Sequence, residues 1–260
     1  MATYLDRILA AHRAAAERDD RPLGPLVAEA SARAPARGFA AALRAAAGGG
    51  SVAVIAEVKR RSPSKGDLAA GLDPAETARA YERGGAACLS VLTDAKFFGG
   101  SPADLQAARA ATRLPVLRKD FTVAPADVCD ARLMGADAVL LIAAALDDDE
   151  LVELHTLALD VGLDVLVEVH DEQELDRGLA AGATLVGVNQ RDLVTFEVDH
   201  DRAVRVGAAM PPSVVRVAES GIRGPEDARA LAAAGFDAVL VGESLVTAPD
   251  PAAAVAALRA

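Results

Sequence analysis

The sequence predicts a single-domain α/β protein, a (β/α)8 or TIM barrel with an N-terminal helical extension, on three observations. From about Ser51 onward, short apolar runs alternate eight times with Ala-rich helical stretches. Glycines fall where those helices should stop, just before the next apolar run. The chain is 260 residues long, the usual size of one such barrel with its large core.

The expected strands are VAVIAEV (52–58), ACLSVL (87–92), PVLR (115–118), DAVLLI (137–142), DVLVEV (164–169), TLVGVN (184–189), VVRVAES (214–220) and DAVLVG (237–242). They are rich in β-branched residues and several are nearly unbroken, as befits strands buried on both faces of a parallel sheet. Asp73-Pro74 and Asp250-Pro251 read as an N-cap followed by proline in the first helical position. Gly84, Gly135, Gly162, Gly182 and Gly235 are the expected helix ends. An open doubly wound sheet is the alternative, but it more often has fewer strands and a Gly-rich first turn, which is absent here.

Residues 1–50 lie outside the repeat, and 51–260 form the expected barrel. Residues 4–18 and 38–47 look helical, whereas 22–36 contain three prolines and one glycine. Leu5, Ile8 and Leu9 give the first segment an apolar stripe, which favours an ordered extension capping the barrel over a disordered tail.

The formal net charge is −11. Such a chain repels nucleic acid and anionic membrane at long range, so neither is an expected partner. The expected partner is a small molecule, met by a monomer or weak homo-oligomer. An anionic substrate needs local cations placed against the overall field. Cys88 and Cys129 have no metal-ligand spacing and read as buried free thiols of a reducing compartment. With no signal-peptide pattern and no uncharged apolar run of spanning length, a cytoplasmic protein is expected.

In barrels of this type the chemistry sits at the C-terminal strand ends. Side chains alternate faces along a strand, so Glu57 and Lys59 share a face, as do Leu117 and Lys119, and Asn189 and Arg191. Glu168 points opposite to Val167 and Val169, Glu219 ends the seventh run, and Gly242-Glu243-Ser244 follows the eighth. One charge at a strand end is usually solvated or paired structurally; six strands with charged or amide ends of matching parity are hard to assign to packing. The loops after the last two strands, Ser220-Gly221-Ile222-Arg223-Gly224 and Gly242-Glu243-Ser244, lie where this fold often binds phosphate through backbone N–H groups. Glycine permits close approach, and Ser62-Pro63-Ser64-Lys65-Gly66 is positioned to contribute from the side. Ordinary turns are the bland alternative.

IAEVKRRSPSKG, LSVLTDAKFFGGS, VLRKDF, LVEVH, VGVNQRDLVTFEVD, AESGI and VLVGESL, in this order, resemble the motif series of the indole-3-glycerol phosphate synthase family. The resemblance runs from about residue 52 to 246, more loosely over the extension. It implies closure of 1-(2-carboxyphenylamino)-1-deoxyribulose 5-phosphate to indole-3-glycerol phosphate with loss of carbon dioxide and water, without metal or organic cofactor. By resemblance Lys119 is the acid that protonates the developing alkoxide, its pKa lowered if the site is crowded with cations. Glu168 and Glu57 match the family's carboxylates, Lys59 is a second acid or a carboxylate's partner, and the division of roles among the four stays open. Asn189 and Arg191 match residues holding the anthranilate portion, Glu219 is a supporting carboxylate, and Ser62, Ser220, Gly221, Gly242 and Glu243 fall in the substrate and phosphate loops. Phe98, with Phe97 beside it, matches the loop that packs on the aromatic ring, although Phe97 is nearly as well read as a rim anchor. Leu140 and Leu193 are pocket walls or plain core. Gln190 replaces the family's more usual small polar residue and should face away from the pocket. A phosphoribosylanthranilate-type isomerase is one alternative, but it typically uses a Cys or Asp base where this chain has Glu57 and Lys59. A non-catalytic relative is another, opposed by the intact Lys119 and Glu168 pair.

Overall fold

The computed structural model describes residues 3–48, 50–63, 65–192, 194 and 197–259. Three helices come first: α1 (Tyr4–Ala16), α2 (Leu23–Ser31) and α3 (Phe39–Ala46). The barrel strands among the described residues are β1 (Ala53–Val58), β2 (Cys88–Leu92), β3 (Val116–Lys119), β4 (Ala138–Ile142), β5 (Asp164–Val169), β6 (Leu185–Asn189), β7 (Val215–Glu219) and β8 (Ala238–Val241). Each pairs in parallel with its successor, and β8 pairs with β1, with Ala53 opposite Ala238 and Ala56 opposite Val241. That closure rules out the open doubly wound sheet. It also removes both sheet edges.

Helices α4 (Pro74–Arg83), α5 (Ala95–Phe98), α6 (Pro102–Ala111), α7 (Pro125–Met134), α8 (Asp148–Asp160), α9 (Glu172–Ala180), α10 (His200–Ala208), α11 (Pro225–Ala233), α12 (Glu243–Val246) and α13 (Pro251–Leu258) follow the strands. The Asp73 carboxylate accepts from the N–H groups of Ala75 and Glu76, and Asp250 does the same for Ala252 and Ala253. These aspartates satisfy donors that a helix start leaves open. Gly135, Gly162, Gly182 and Gly235 take left-handed φ values of 97°, 81°, 94° and 86° at the helix exits. At the first exit the left-handed residue is Gly85 (φ 87°) rather than Gly84. Gly84 has a different reason to be glycine: a Cβ there would lie 2.4 Å from the carbonyl oxygen of Ala252 on α13. Cys88 and Cys129 are both buried free thiols.

The proline-rich stretch whose structure the sequence left unread contains α2. Pro22 precedes it and Pro25 lies in its first turn, where the missing N–H costs nothing. Its Leu26 and Ala30 are buried, and it packs against α7. At the strands' N-terminal ends, the N–H groups of Arg37 and Ala40 donate to Asp137 and Asp164 at the starts of β4 and β5, and Phe39 and Leu43 of α3 are fully buried. Near the opposite end, Ile8 of α1 is buried. Arg13 donates to Glu150 at 2.6 Å and to the carbonyl of Ala145 at 2.9 Å, tying α1 to the loop after β4 and to the first turn of α8. Among the described residues no helix is long and apolar enough to cross a membrane.

Candidate active site

A cavity of about 530 Å³ opens at the C-terminal ends of the strands. Glu57, Lys59, Ser62, Phe98, Lys119, Leu140, Glu168, Asn189, Arg191, Glu219, Ser220, Gly221, Gly242 and Glu243 all line it. Strand parity therefore picked out the interior face on strand after strand. Register brings the groups level: Asn189 sits opposite Glu219, Ile142 opposite Glu168, and Leu92 opposite Lys119.

Two charged clusters form the floor. The Lys119 ammonium donates to Glu168 Oε2 at 2.6 Å and to Glu219 Oε2 at 3.0 Å. Asn189 Nδ2 donates to the other Glu168 oxygen at 3.0 Å, and the Asn189 side-chain oxygen accepts from the N–H of Arg191. Beside them Lys59 Nζ lies 2.6 Å from Glu57 Oε1, and the Ser90 hydroxyl approaches Glu57 Oε2 at 3.4 Å. The carboxylates are almost completely buried, so each charge depends on these partners.

The expectation of a lowered Lys119 pKa is corrected here. Burial alone favours the neutral amine, but the carboxylates of Glu168, Glu219 and Glu57 outweigh it and push Lys119 well above its ordinary value. The immediate surroundings of Lys119 are anionic rather than cationic. Burial likewise opposes ionisation of Glu168, yet Lys119, then His170, with hydrogen bonds from Lys119 and Asn189, bring it down to about 2. Glu219 goes the other way: burial and the nearby Glu168 charge, against the pull of Lys119, raise it to about 7. Two carboxylates on one ammonium are thus driven apart. Glu219 Oε1 is buried with no hydrogen-bond partner, which fits a group reluctant to ionise.

The loops after β7 and β8 close one side of the cavity. Ser220 adopts a left-handed φ of 65°, unusual for a residue with a Cβ, and Gly221 follows at 73°. Gln190, turned away from the cavity as expected, donates to the Ser220 carbonyl at 2.7 Å and pins that bend. The Ser244 hydroxyl donates to the Ile222 carbonyl at 3.1 Å, joining the two loops. Gly242 lies against the Glu57–Lys59 pair, where a Cβ would fall 2.3 Å from Glu57 Oε1. Lys65 Nζ meets Glu243 Oε1 at 2.6 Å across the mouth. The loop after β1 is shaped by the antiparallel pairing of Arg61–Ser62 with Gly66–Asp67. Ser64 and Leu193 lie outside the described residues.

Phe97 and Phe98 separate cleanly. Phe98 lines the cavity, whereas Phe97 packs edge-on against Tyr4 of α1, 5.9 Å between ring centroids, with Lys96 over its face. Several lining residues were not read from the sequence: Phe121, Asp94, Asp120, Val198 and His200. Phe121 had a signal, since it shares parity with Leu117 and Lys119. His170 also shares parity with Glu168; its Nε2 is buried, unpartnered and 3.7 Å from Glu168 Oε1, while Nδ1 meets Glu174 at 3.0 Å. His12, Asp94 and Asp120 bring one ligand-type atom each within 4.8 Å of one another, a grouping that sequence spacing did not show.

The family model described as indole-3-glycerol phosphate synthase matches residues 5–258. Proteins named indole-3-glycerol phosphate synthase from Mycolicibacterium vanbaalenii and Streptomyces griseus are each 53% identical to the chain, over 99% of it and over 94% and 95% of their own lengths. One from Mycobacterium tuberculosis is 51% identical over 99% of the chain and 94% of its own. A solved structure of thiamine phosphate pyrophosphorylase from Pyrococcus furiosus superposes with a TM-score of 0.60 over 80% of this chain and 94% of its own; at 18% identity it shares the fold alone.

Proposed function

The chain belongs to the indole-3-glycerol phosphate synthase family, a carboxy-lyase of tryptophan biosynthesis acting on a phosphorylated substrate, and from that premise we propose how its cavity closes the indole ring. In this reading residues 1–50 are an extension of one domain whose barrel is 51–260.

Proton balance constrains the mechanism. The substrate enters as a carboxylate, and the products are neutral carbon dioxide, water and indole-3-glycerol phosphate, so each turnover consumes one proton from solvent. Attack of the carboxylate-bearing aryl carbon on the ketone creates an alkoxide, which Lys119 protonates. The three carboxylates around Lys119 keep it charged, so it waits as ammonium for a group more basic than itself. Carbon dioxide then leaves and the ring regains electrons. In the dehydration that follows, Lys59 donates a proton to the departing hydroxide, and Glu168, held ionised, takes one from the ring carbon beside nitrogen. Glu168 lies 2.6 Å from the Lys119 nitrogen and returns that proton, which resets the first acid. Lys59, 18% exposed, is recharged from solvent. Glu57 orients Lys59, and Glu219 supports Lys119.

The aryl ring is assigned to the wall of Phe98, Phe121 and Leu140, its carboxylate to Arg191 with Asn189. The phosphate is assigned to Ser62, Ser220 and the backbone of Gly221, Gly242 and Glu243, where glycine leaves room for an anion. The observation that carries this reading is the Lys119–Glu168–Glu219 cluster on the cavity floor. The test is indole fluorescence on adding the carboxyphenylamino substrate to purified protein, which should rise. Silence from well-folded protein removes the activity. Lys59→Met should cyclise and decarboxylate but stall before dehydration, so a hydroxylated ring intermediate should accumulate in rapid-quench samples; normal product release would remove Lys59 from the second step.

A further inference from the structure

His12 lies on α1, yet its imidazole reaches behind the aromatic wall. Its Nε2 is 3.0 Å from Asp94 Oδ2 and 3.8 Å from Asp120 Oδ1. Both aspartates are buried and both line the cavity. Each in turn accepts from the backbone of an aromatic residue that lines the cavity. Asp94 caps α5, its other oxygen accepting from the N–H groups of Phe97 at 2.5 Å and Phe98 at 3.2 Å. Asp120 accepts from the N–H of Phe121 at 2.9 Å. The rings also form a series, His12 to Phe121 at 5.5 Å between centroids and Phe121 to Phe98 at 6.3 Å.

We propose that His12 is a positioning residue for the aromatic subsite: as an imidazolium between Asp94 and Asp120, it holds Phe98 and Phe121 at the spacing that grips the substrate's aryl ring. This rests on the assignment of the aryl ring to that wall. The geometry makes binding depend on the docking of α1 and on the protonation of one side chain. The charged groups facing His12 are Asp94 from the head of α5, Asp120 after β3 and, further off, Asp127 of α7. Arg118, which pairs with Asp120 at 3.2 Å, is the cation at the cluster's edge. On α1 itself, Arg13 is turned away to Glu150. Burial disfavours the imidazolium, but the hydrogen bond to Asp94 and the surrounding carboxylates raise its pKa above the ordinary value. Neutral imidazole can keep one of the two contacts but loses its attraction to the other carboxylate, so the wall loosens as pH rises.

The experiment is steady-state kinetics of the full chain and of His12→Gln between about pH 6 and 9, together with inhibition by inorganic phosphate. Wild type should show KM rising through the imidazole titration with kcat nearly flat. His12→Gln should raise KM on the order of tenfold at low pH, leave kcat within about twofold, flatten the KM profile and leave phosphate inhibition unchanged. An unchanged KM and profile overturns the inference. So does a variant in which kcat, KM and phosphate inhibition all worsen together, because that is general structural loss. As a second readout, imidazole NMR signals of wild-type His12 should titrate late and shift on adding 2-(methylamino)benzoate, a probe for the aryl subsite; a silent His12 overturns the inference even if the variant does not fold. A wild-type chain with no ring-closing turnover defeats the functional reading instead, and the two failures are distinct.

Discussion

Lys119 and Glu168 stand on β3 and β5, two strands that do not pair, and meet across the barrel interior with 2.6 Å between ammonium nitrogen and carboxylate oxygen. β4, which separates them in the wall, contributes Leu140 to the cavity between them. Their meeting is therefore set by the curvature of the barrel rather than by any local motif.

Lys119→Met should abolish turnover, by at least about a thousandfold, while substrate still binds. Binding is read by fluorescence titration or calorimetry, turnover by indole emission. A variant that still turns over at the wild-type rate would strip Lys119 of the acid role. Lys119→Arg should rescue stability, since it keeps a cation between Glu168 and Glu219, without rescuing rate.

Glu219→Gln should stabilise the fold at alkaline pH. Its folded pKa of about 7 lies above the ordinary carboxylate value of 4.5, so the native state holds a proton that the unfolded chain has released. Stability from this group is lost as pH rises from about 4.5 to about 7 and stays lost above, roughly 3 kcal/mol at most. Thermal melts should show the variant well above wild type at about pH 8 and close to it at about pH 5. Turnover should fall in the same protein, a stability gain at the expense of function. Equal melting curves at both pH values would show that Glu219 is ionised as easily as any carboxylate.

The two cavity glycines should fail differently. A Cβ at Gly242 must displace Glu57 or Lys59, so Gly242→Ala should lower kcat by about ten- to a hundredfold. Gly221 sits at φ 73°, and its Cβ would fall 2.5 Å from Val198 Cγ1. Gly221→Ala should cost on the order of 1–2 kcal/mol of stability from backbone strain and raise KM and the phosphate inhibition constant. If Gly242→Ala changes only KM and the phosphate inhibition constant and leaves kcat intact, its contact with the Glu57–Lys59 pair does not govern the chemistry.

Buried histidines should give opposing pH limbs. Burial alone lowers the pKa of His155 on α8, so its contribution is present above the unfolded value near 6.5 and lost as pH falls through it. His170 is raised: burial opposes its charge, but Glu174 and Glu168 more than offset this, so its stabilisation is complete below that value and lost as pH rises. His155→Gln should flatten the acid limb of a melting-temperature profile, and His170→Gln the limb near neutrality. Parallel shifts at every pH would mean that neither residue titrates on unfolding.

Much of the cavity was legible because β-structure has a period of two. Glu57 with Lys59, and Asn189 with Arg191, could be paired on one face by counting, and Phe121 and His170 obey the same count. What counting cannot show is which face meets which across the barrel. The anionic setting of Lys119 is made by Glu57, Glu168 and Glu219 on β1, β5 and β7, so the expectation of a lowered pKa in a site crowded with cations fails on contacts that only the closed barrel makes. His12 and Asp94 are far apart in sequence, and only the fold brings them together. α2 was hidden for a local reason, since prolines in and before a first helical turn look like a break when no partner surface is known.

The barrel's seam lies between its first and last strands, and the Glu57–Lys59 pair sits beside it with Gly242 as wall. During translation both charged residues emerge from the ribosome long before the strand that encloses them. Until β8 docks, the nascent sheet exposes two unpaired edges, each a template for pairing with other chains. A message truncated just short of β8 would therefore yield an inert and aggregation-prone product, and quality control of this protein turns on the codons of that closing strand.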